Sequence, residues 1–400
     1  SVAIMSLAVL PLDPIICFPH LFAQPVIIMN GKPAYYSFNF ATLPDKLYDS
    51  DVPVEEWLAT CETADADGFH AGSLAQPLPC DLSVEIERLV GTTIYMLGNI
   101  LPFALPIFSV LWYYGFLIGK LFFAYVTILI CLNGFYNLVY APKKPLKGMK
   151  GRQYYYTERN TQKYLSTRWV WPRSLHYPSC QDNPLIFCVA PHGVAPLGVT
   201  AYPGFSKLFN GRLNRPTGAP FVLKLPIIGW GLKKIGYIPA KAANIKDIFL
   251  KKEENVSLIL DGIAGMFQGD DTVEKLWLRD RKGICKISLQ TGCSIVPVYG
   301  FGHTSLYKTV IDPFGILEKL SIALDVSICP FFGRFGWPIG PPWRVPVTLA
   351  FGDPITCDRI QDPTQEHIEK HHAAMLEGFR AVFEKHKVAY GWSEKTLSFV

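Results

Sequence analysis

Residues 91–140 carry a single charged side chain, Lys120, in fifty consecutive positions. A helix that crosses the hydrocarbon core of a bilayer needs about 20 apolar residues. The segment therefore has room for two membrane spans, which we place at about 93–117 and 119–140 with a turn near Gly119. One long helix with a tail buried in a soluble core is the alternative.

The charge of the chain differs on the two sides of this segment. Residues 1–90 hold three basic and twelve acidic residues, and residues 141–400 hold 34 basic and 21 acidic residues, a net charge of +13. A basic cluster directly after the second span predicts that this end faces the cytosol; it comprises Lys143, Lys144, Lys147, Lys150 and Arg152. We expect an acidic, poorly ordered region at 1–90, a transmembrane hairpin at 91–141 and a cytosol-facing domain at 142–400.

The basic domain suits an anionic membrane surface or an anionic substrate such as a nucleotide. Nucleic acid is the weaker interpretation, because no arginine-rich run or RNP-like aromatic motif accompanies the charge. The ten cysteines form no CxxC pair. We therefore expect reduced core cysteines and no zinc site.

Apolar runs alternate with helical patterns from about residue 151 onward. We predict strands at 185–190, 256–260, 294–301 and 345–351, and helices at 243–253, 283–292 and 365–387. This alternation indicates an α/β domain with a mostly parallel sheet flanked by helices. The run FQGDDTVEKL at 267–276 is predicted to be an exposed turn that enters a helix, with Asp270 or Asp271 as the cap.

Three of the predicted strands end in short polar turns: Pro191-His192-Gly193, Asp261-Gly262 and Gly302-His303. Because the carboxyl ends of parallel strands lie at one edge of a sheet, we expect these turns to converge on one cleft.

His192 is the candidate base of this cleft. Histidine alone has an unperturbed pKa that provides a neutral base near pH 7, and a general base contributes about 10²–10⁴-fold in rate. A turn histidine with local hydrogen bonds is the alternative. Asp261 either orients an imidazole or caps the helix that follows, and His303 is expected to support the site.

Four basic residues stand around the predicted helix start at Gly283: Arg279, Arg281, Lys282 and Lys286. Helix N-termini and basic side chains bind phosphates, whereas a solvated basic loop beside a membrane is the alternative. The chain contains no GxSxG nucleophile elbow, no Walker A loop and no HExxH motif.

Five blocks follow one another in a recognisable order: PHG at 191–193, the basic block ending in IVPVYGFG at 295–302, GDPI at 352–355, DPTQEHIEKHH at 362–372 and FEKHKVAYGW at 383–392. Together with the apolar segment, they resemble the type 2 diacylglycerol acyltransferase family, which includes monoacylglycerol and wax-alcohol acyltransferases. The resemblance covers about residues 92–400 and implies a glycerolipid acyltransferase-like fold.

The resemblance implies a multi-pass membrane enzyme of the endoplasmic reticulum, with the lipid droplet as a second location. Its substrates would be acyl-CoA and diacylglycerol or a related lipid acceptor, and the bilayer would be its partner, with no metal or redox cofactor. Homo-oligomerisation stays open. A monoacylglycerol, fatty-alcohol or lysophospholipid acceptor, or a scaffold without catalysis, are the alternatives.

Carried over onto this chain, the HPHG block of the family falls on residues 190–193, its RxGFx(K/R) block on 281–286 and its VPxxxFG block on 296–302. The resemblance thus implies that His192 is the catalytic histidine. We further predict catalytic roles for Gly193, Asp261 and Gly262, and substrate binding by Arg281, Lys282, Lys286 and His303. The chain departs from the family pattern at four places: Ala190 replaces a histidine, Asp261-Gly262 replaces Gly-Gly, Gly265 replaces a glutamate, and His303 replaces Glu or Gln. Asp261 is the candidate substitute for the absent acid.

Overall fold

The computed structural model describes residues 33–40, 54–65, 67–77, 85–86, 88–90, 92–93, 108–140, 160–176, 180, 182–197, 208–224, 229, 232–233, 236–266, 272–309, 312, 315–324, 329–336 and 341–400. The strands are β1 (Tyr35–Asn39), β2 (Glu62–Ala64), β3 (Arg168–Pro172), β4 (Leu185–Ala190), β5 (Asn214–Gly218), β6 (Ile238–Pro239), β7 (Asn255–Ile259), β8 (Val273–Leu276), β9 (Ser294–Phe301), β10 (Lys308–Thr309), β11 (Phe331–Phe332), β12 (Thr348–Phe351) and β13 (Thr396–Phe399). The α-helices are α1 (Val54–Leu58), α2 (Leu117–Tyr140), α3 (Ala242–Asp247), α4 (Gly283–Thr291), α5 (Ile316–Leu324) and α6 (Gln365–Tyr390).

Within the described residues, nine strands form one sheet in the order β2-β1-β3-β12-β9-β4-β7-β5-β6. The strands β9, β4, β7, β5 and β6 run parallel to one another. The neighbour β12 is antiparallel to β9 and parallel to β3, and β1 is antiparallel to both β3 and β2. The predicted α/β class is confirmed, with a parallel centre and an antiparallel flank.

Alternate residues of β4 face two separate cores, which is why the whole strand is apolar. Ile186, Cys188 and Ala190 pack in the same cluster as the buried side chains of α4 and α6. Leu185, Phe187 and Val189 lie in a second cluster that is rich in aromatic rings. A parallel strand that is buried on both faces reads as a continuous apolar run, so β4 and β9 were the most predictable elements.

The helix α6 covers one face of the sheet and packs against β9 and β12. It begins with a capping box between Thr364 and His367 and ends at Gly391, which has a left-handed φ of 88°. Its buried residues include Met375, Phe379 and Phe383.

Two expectations from the sequence differ from the structure. Part of the region predicted to be poorly ordered forms β1, whose Phe38 packs against Trp57, Trp169 and Trp171. The composition of the whole region hid this short aromatic strand. The predicted helix after residue 271 is wrong: residues 273–276 form β8, which pairs in parallel with β13. Asp270 and Asp271 lie outside the described residues.

The second predicted membrane span, 119–140, lies within α2. Side chains near the start of α2 are apolar and exposed, among them Leu117, Ile118 and Leu121. In the described part of the chain, no helix meets the length and hydropathy that crossing a membrane requires. Residues 94–107 of the first predicted span and the basic cluster at 143–152 lie outside the described residues, so the hairpin stays a prediction.

Candidate functional site

The three polar turns converge at one edge of the sheet, as their strands predicted. In the register of the sheet, Val189 pairs with Ile259, and Ala190 pairs with Tyr299. The carboxyl ends of β4, β7 and β9 therefore lie side by side, and the turns that follow them are in contact.

His192 follows β4 and has a half-buried side chain. Its Nδ1 lies 2.7 Å from the carbonyl oxygen of Gly193. A carbonyl oxygen can only accept a hydrogen bond, so Nδ1 carries the proton and Nε2 of the neutral ring keeps a lone pair. Burial lowers the pKa of His192 from its ordinary value, which favours the neutral ring. The arrangement provides a neutral base at Nε2.

Asp261 follows β7 and is fully buried. Its Oδ2 accepts a hydrogen bond of 2.9 Å from the backbone N–H of His192, whereas its Oδ1 has no hydrogen-bond partner among the described residues. The carboxyl group therefore holds the backbone of the histidine and not its ring. Burial raises the pKa of Asp261 to about 7.

Gly265 lies in the 3₁₀ turn Gly262–Met266 and leaves the space that Asp261 fills. A Cβ atom at position 265 would overlap Oδ2 of Asp261. A side chain at 265 and the carboxyl group of Asp261 in its present position therefore exclude each other. Asp261 brings an acid to this place from a position four residues earlier in the chain.

The glycines of the two turns allow close approach of the backbone. Gly193 has a φ of 59° and Gly262 a φ of 57°, both left-handed. A Cβ at Gly193 would overlap the carbonyl oxygen of His303. In the described part of the chain, the N–H groups of Gly193 and Gly262 have no hydrogen-bond partner.

His303 packs against the turn that carries His192 and is fully buried. Its Nδ1 donates a hydrogen bond of 3.1 Å to the carbonyl oxygen of Pro191. Burial lowers its pKa to about 4. The fully buried ring therefore holds the turn before His192, and the substrate-binding role of His303 stays a prediction.

The four basic residues around the start of α4 have different surroundings. A guanidinium nitrogen of Arg281 lies 3.4 Å from the place a Cβ would take on Gly262, so Arg281 is at the site. Lys282 instead forms an ion pair of 3.4 Å with Glu369 on α6, and Arg279 donates to the carbonyl oxygen of Phe399. Lys286 is exposed on α4. Only Arg281 is in contact with the turn residues that carry the predicted chemistry.

Glu274 is a buried acid of the site that the sequence analysis missed, because its segment was assigned to an exposed turn and helix. It is 1% exposed and lies on β8, where burial alternates along Val273–Leu276. Lys395 forms an ion pair of 2.8 Å with it. The sequence carried little signal for this strand, because TVEKL at 272–276 lacks the apolar–polar alternation of a half-buried strand.

Metal ligands do not cluster at this edge of the sheet. Among the residues that the structure describes, no group of three or more His, Cys, Asp or Glu side chains is arranged to hold a metal ion.

A family model and several individual relatives match the sequence of this chain. A family model described as diacylglycerol acyltransferase matches residues 120–399. Diacylglycerol O-acyltransferase 2-like protein 6 from Bos taurus is 29% identical over 224 residues, which is 51% of this chain and 66% of that protein.

Two further relatives align with a similar share of the chain. 2-acylglycerol O-acyltransferase 1 from Bos taurus is 32% identical, over 54% of this chain and 69% of its own length. Diacylglycerol O-acyltransferase 2 from Homo sapiens is 30% identical, over 52% of this chain and 58% of its own length. The chain thus spans about two thirds of these relatives or less.

A crystal structure of a 1-acyl-sn-glycerophosphate acyltransferase from Thermotoga maritima aligns with 73% of this chain and 97% of its own, at 14% identity and a TM-score of 0.34. At this TM-score the similarity does not assign a fold or a function to this chain. The family match, in contrast, covers more than half of the 400 residues. The chain therefore belongs to the diacylglycerol acyltransferase family.

Proposed function

We propose that the protein is an acyl-CoA-dependent O-acyltransferase that esterifies diacylglycerol to triacylglycerol. The observation that carries the proposal is the state of His192: its Nδ1 is bound to the carbonyl oxygen of Gly193, and Nε2 is left as a neutral base at the strand-end edge. Family membership supports acyl transfer as the reaction class.

The reaction proceeds by direct transfer between the two substrates. Nε2 of His192 accepts the proton of the acceptor hydroxyl as its oxygen attacks the thioester carbon. The resulting tetrahedral intermediate collapses by breaking the carbon–sulfur bond. The CoA thiolate then takes the proton from the imidazolium, which returns His192 to its neutral form.

The oxyanion of the intermediate forms next to the backbone of the two turns. We assign its stabilisation to the N–H groups of Gly193 and Gly262, which have no partner within the described residues. Preorganised donors of this kind contribute about 10²–10³-fold in kcat. Arg281 stands beside Gly262 and is assigned to a phosphate of acyl-CoA. Lys282 and Lys286 are secondary candidates, because Lys282 is paired with Glu369 and Lys286 lies one turn into α4.

We place the protein in the endoplasmic reticulum membrane, with the catalytic domain on the cytosolic side and the lipid droplet as a second location. The apolar segment at 91–140 supports this proposal, since it carries one charge in fifty residues. A membrane location would present the lipid acceptor to the strand-end edge.

The test is an acceptor panel with one acyl-CoA, assayed on membranes from a host that lacks its own acyltransferases. We expect triacylglycerol from diacylglycerol, and His192→Ala to lower the rate by at least about 100-fold, in line with the loss of a general base. His70→Ala, a change at an exposed histidine, is the matched control and should keep the wild-type rate.

Two results would redirect the proposal. Preference for a monoacylglycerol acceptor would match the relative with 32% identity, 2-acylglycerol O-acyltransferase 1. A His192→Ala protein that still transfers the acyl group at the wild-type rate would remove His192 from the mechanism, and inactivity of the wild type on every acceptor would favour a scaffold.

A further inference from the structure

We propose that Glu274 is a positioning residue for His192, acting through the turn that carries His303 and Thr304. The inference rests on the role of His192 proposed above. Glu274 lies on β8, outside the three turns, and is not in contact with His192 itself. Its effect passes through hydroxyl groups that it holds in place.

The carboxylate of Glu274 accepts hydrogen bonds from three side chains. Its carboxylate accepts from Lys395 at 2.8 Å, from the hydroxyl of Tyr299 at 3.2 Å and from the hydroxyl of Thr304 at 3.3 Å. Both partners of the ion pair are shielded from solvent, with side-chain exposures of 18% for Lys395 and 2% for Glu274. A buried carboxylate needs such partners, and losing one of them is costly.

The first route runs from Glu274 to His192 through Thr304. Thr304 lies in the 3₁₀ turn His303–Ser305, and its hydroxyl fixes that turn on Glu274. The neighbouring His303 donates to the carbonyl oxygen of Pro191, and its own carbonyl oxygen fills the space above Gly193. The turn therefore touches the residues on both sides of His192.

The second route runs through Tyr299 to the strand that carries the turn. Tyr299 is fully buried on β9 and pairs in the register of the sheet with Ala190, the last residue of β4. Its hydroxyl donates to Glu274, so Glu274 also holds the part of β9 beside Ala190. A shift of β9 at this point would move Ala190 and, with it, the backbone of Pro191.

Both routes end on the backbone of residues 191–193, so Glu274 controls where the ring of His192 stands. A displacement of about 1 Å costs up to about 100-fold in rate when it affects the alignment of reacting atoms. A residue that acts only on alignment lowers kcat and leaves KM for acyl-CoA unchanged.

The test compares Thr304→Val and Tyr299→Phe, which remove one hydroxyl each, with Glu274→Gln. Thr63→Val on the exposed face of β2 and Glu377→Gln at an exposed glutamate of α6 are the matched controls. Each purified protein is assayed for kcat and KM with acyl-CoA. The rate at which diethyl pyrocarbonate modifies His192 is measured separately by mass spectrometry, which needs no catalysis.

We expect Thr304→Val, Tyr299→Phe and Glu274→Gln each to lower kcat by about 10-fold to 100-fold at unchanged KM, and to raise the modification rate of His192 severalfold. The controls should match the wild type. If Glu274→Gln does not fold, the two hydroxyl variants decide the question.

Unchanged kcat and unchanged His192 modification in both hydroxyl variants would overturn the inference. A loss of activity in proportion to the loss of folded protein, with normal modification of His192 in the folded fraction, would also overturn it. If the wild type transfers no acyl group but the variants still alter His192 modification, the positioning role stands and the proposed function fails.

Discussion

The position of the buried acid next to His192 depends on two residues, Asp261 and Gly265. Asp261 reaches the backbone of His192 only because Gly265 has no side chain, as a Cβ there would overlap its Oδ2. The family resemblance expected an acid at 265. The structure instead places the carboxyl group of Asp261 where a Cβ at 265 would stand, and it adds Glu274 as a second buried acid.

The elevated pKa of Asp261 makes the stability of the protein dependent on pH. Its folded-state pKa of about 7 lies above the ordinary value of 3.8. The folded protein then binds this proton more tightly than the unfolded chain, so the free energy of unfolding falls as pH rises through this window. The slope is at most about 1.4 kcal/mol per pH unit.

We expect Asp261→Asn to remove this slope, because an amide does not ionise. The amide oxygen can still accept the hydrogen bond from the backbone N–H of His192. The measurement is the Tm of wild type and variant between about pH 5 and pH 8, a range that crosses the folded-state pKa of about 7. The buried histidines are shared by both proteins, so the difference between the two curves isolates Asp261. Parallel curves would contradict a raised pKa of the carboxyl group at this position.

At the scale of elements, the turn Gly262–Met266 depends on its fit against Asp261. We expect Gly265→Ala to lower stability by about 1–3 kcal/mol, the cost of an inserted methyl group in a packed site, and to displace the carboxyl group from His192. Gly283→Ala at the start of α4 is the matched control, because no atom lies within 4 Å of its Cβ position.

Thermal unfolding and the acyl-transfer rate are measured on both glycine variants. A Gly265→Ala protein with wild-type stability and activity would show that the carboxyl group of Asp261 has another place to go.

The strands at the centre of the sheet were predictable because their burial is uniform. The runs at 185–190 and 294–301 match β4 and β9 residue for residue. The parallel arrangement also predicted that His192, Asp261 and His303 would meet. The hydrogen bonds between them were not predictable, because the choice of Asp261 between a ring, a helix start and a backbone N–H depends on three-dimensional spacing.

Short amphipathic strands escaped the sequence analysis for a different reason. In β8 only Glu274 and Leu276 point inward, and two residues do not establish a period. In β1 the surrounding acidic composition outweighed a local aromatic pattern. Glu274 was missed together with its strand.

At the scale of the whole molecule, β1 extends the sheet beyond β3 and closes the aromatic core. Phe38 is 3% exposed and contacts Phe40, Trp57, Trp169 and Trp171. We expect Phe38→Ala to lower the free energy of unfolding by about 3–5 kcal/mol. Tyr113→Ala, at a side chain that is 83% exposed, should change it little, with chemical denaturation as the measurement.

A small effect of Phe38→Ala, equal to that of the control, would mean that the aromatic cluster does not depend on β1. The segment around β1 would then be an accessory to the domain and not part of its core.

The order of the strands in the sheet also determines when the site can assemble during synthesis. His192 and Asp261 are 69 residues apart, and His303 and Pro191 are 112 residues apart. A growing chain that ends just after Asp261 contains the histidine and its acid but lacks β9, which must still add to the open edge of β4 before β12 can follow. Long-range parallel pairing is slow to form. The edge of β4 therefore stays open until residue 301 has been made, and the contact between His303 and Pro191 completes the site only late in synthesis.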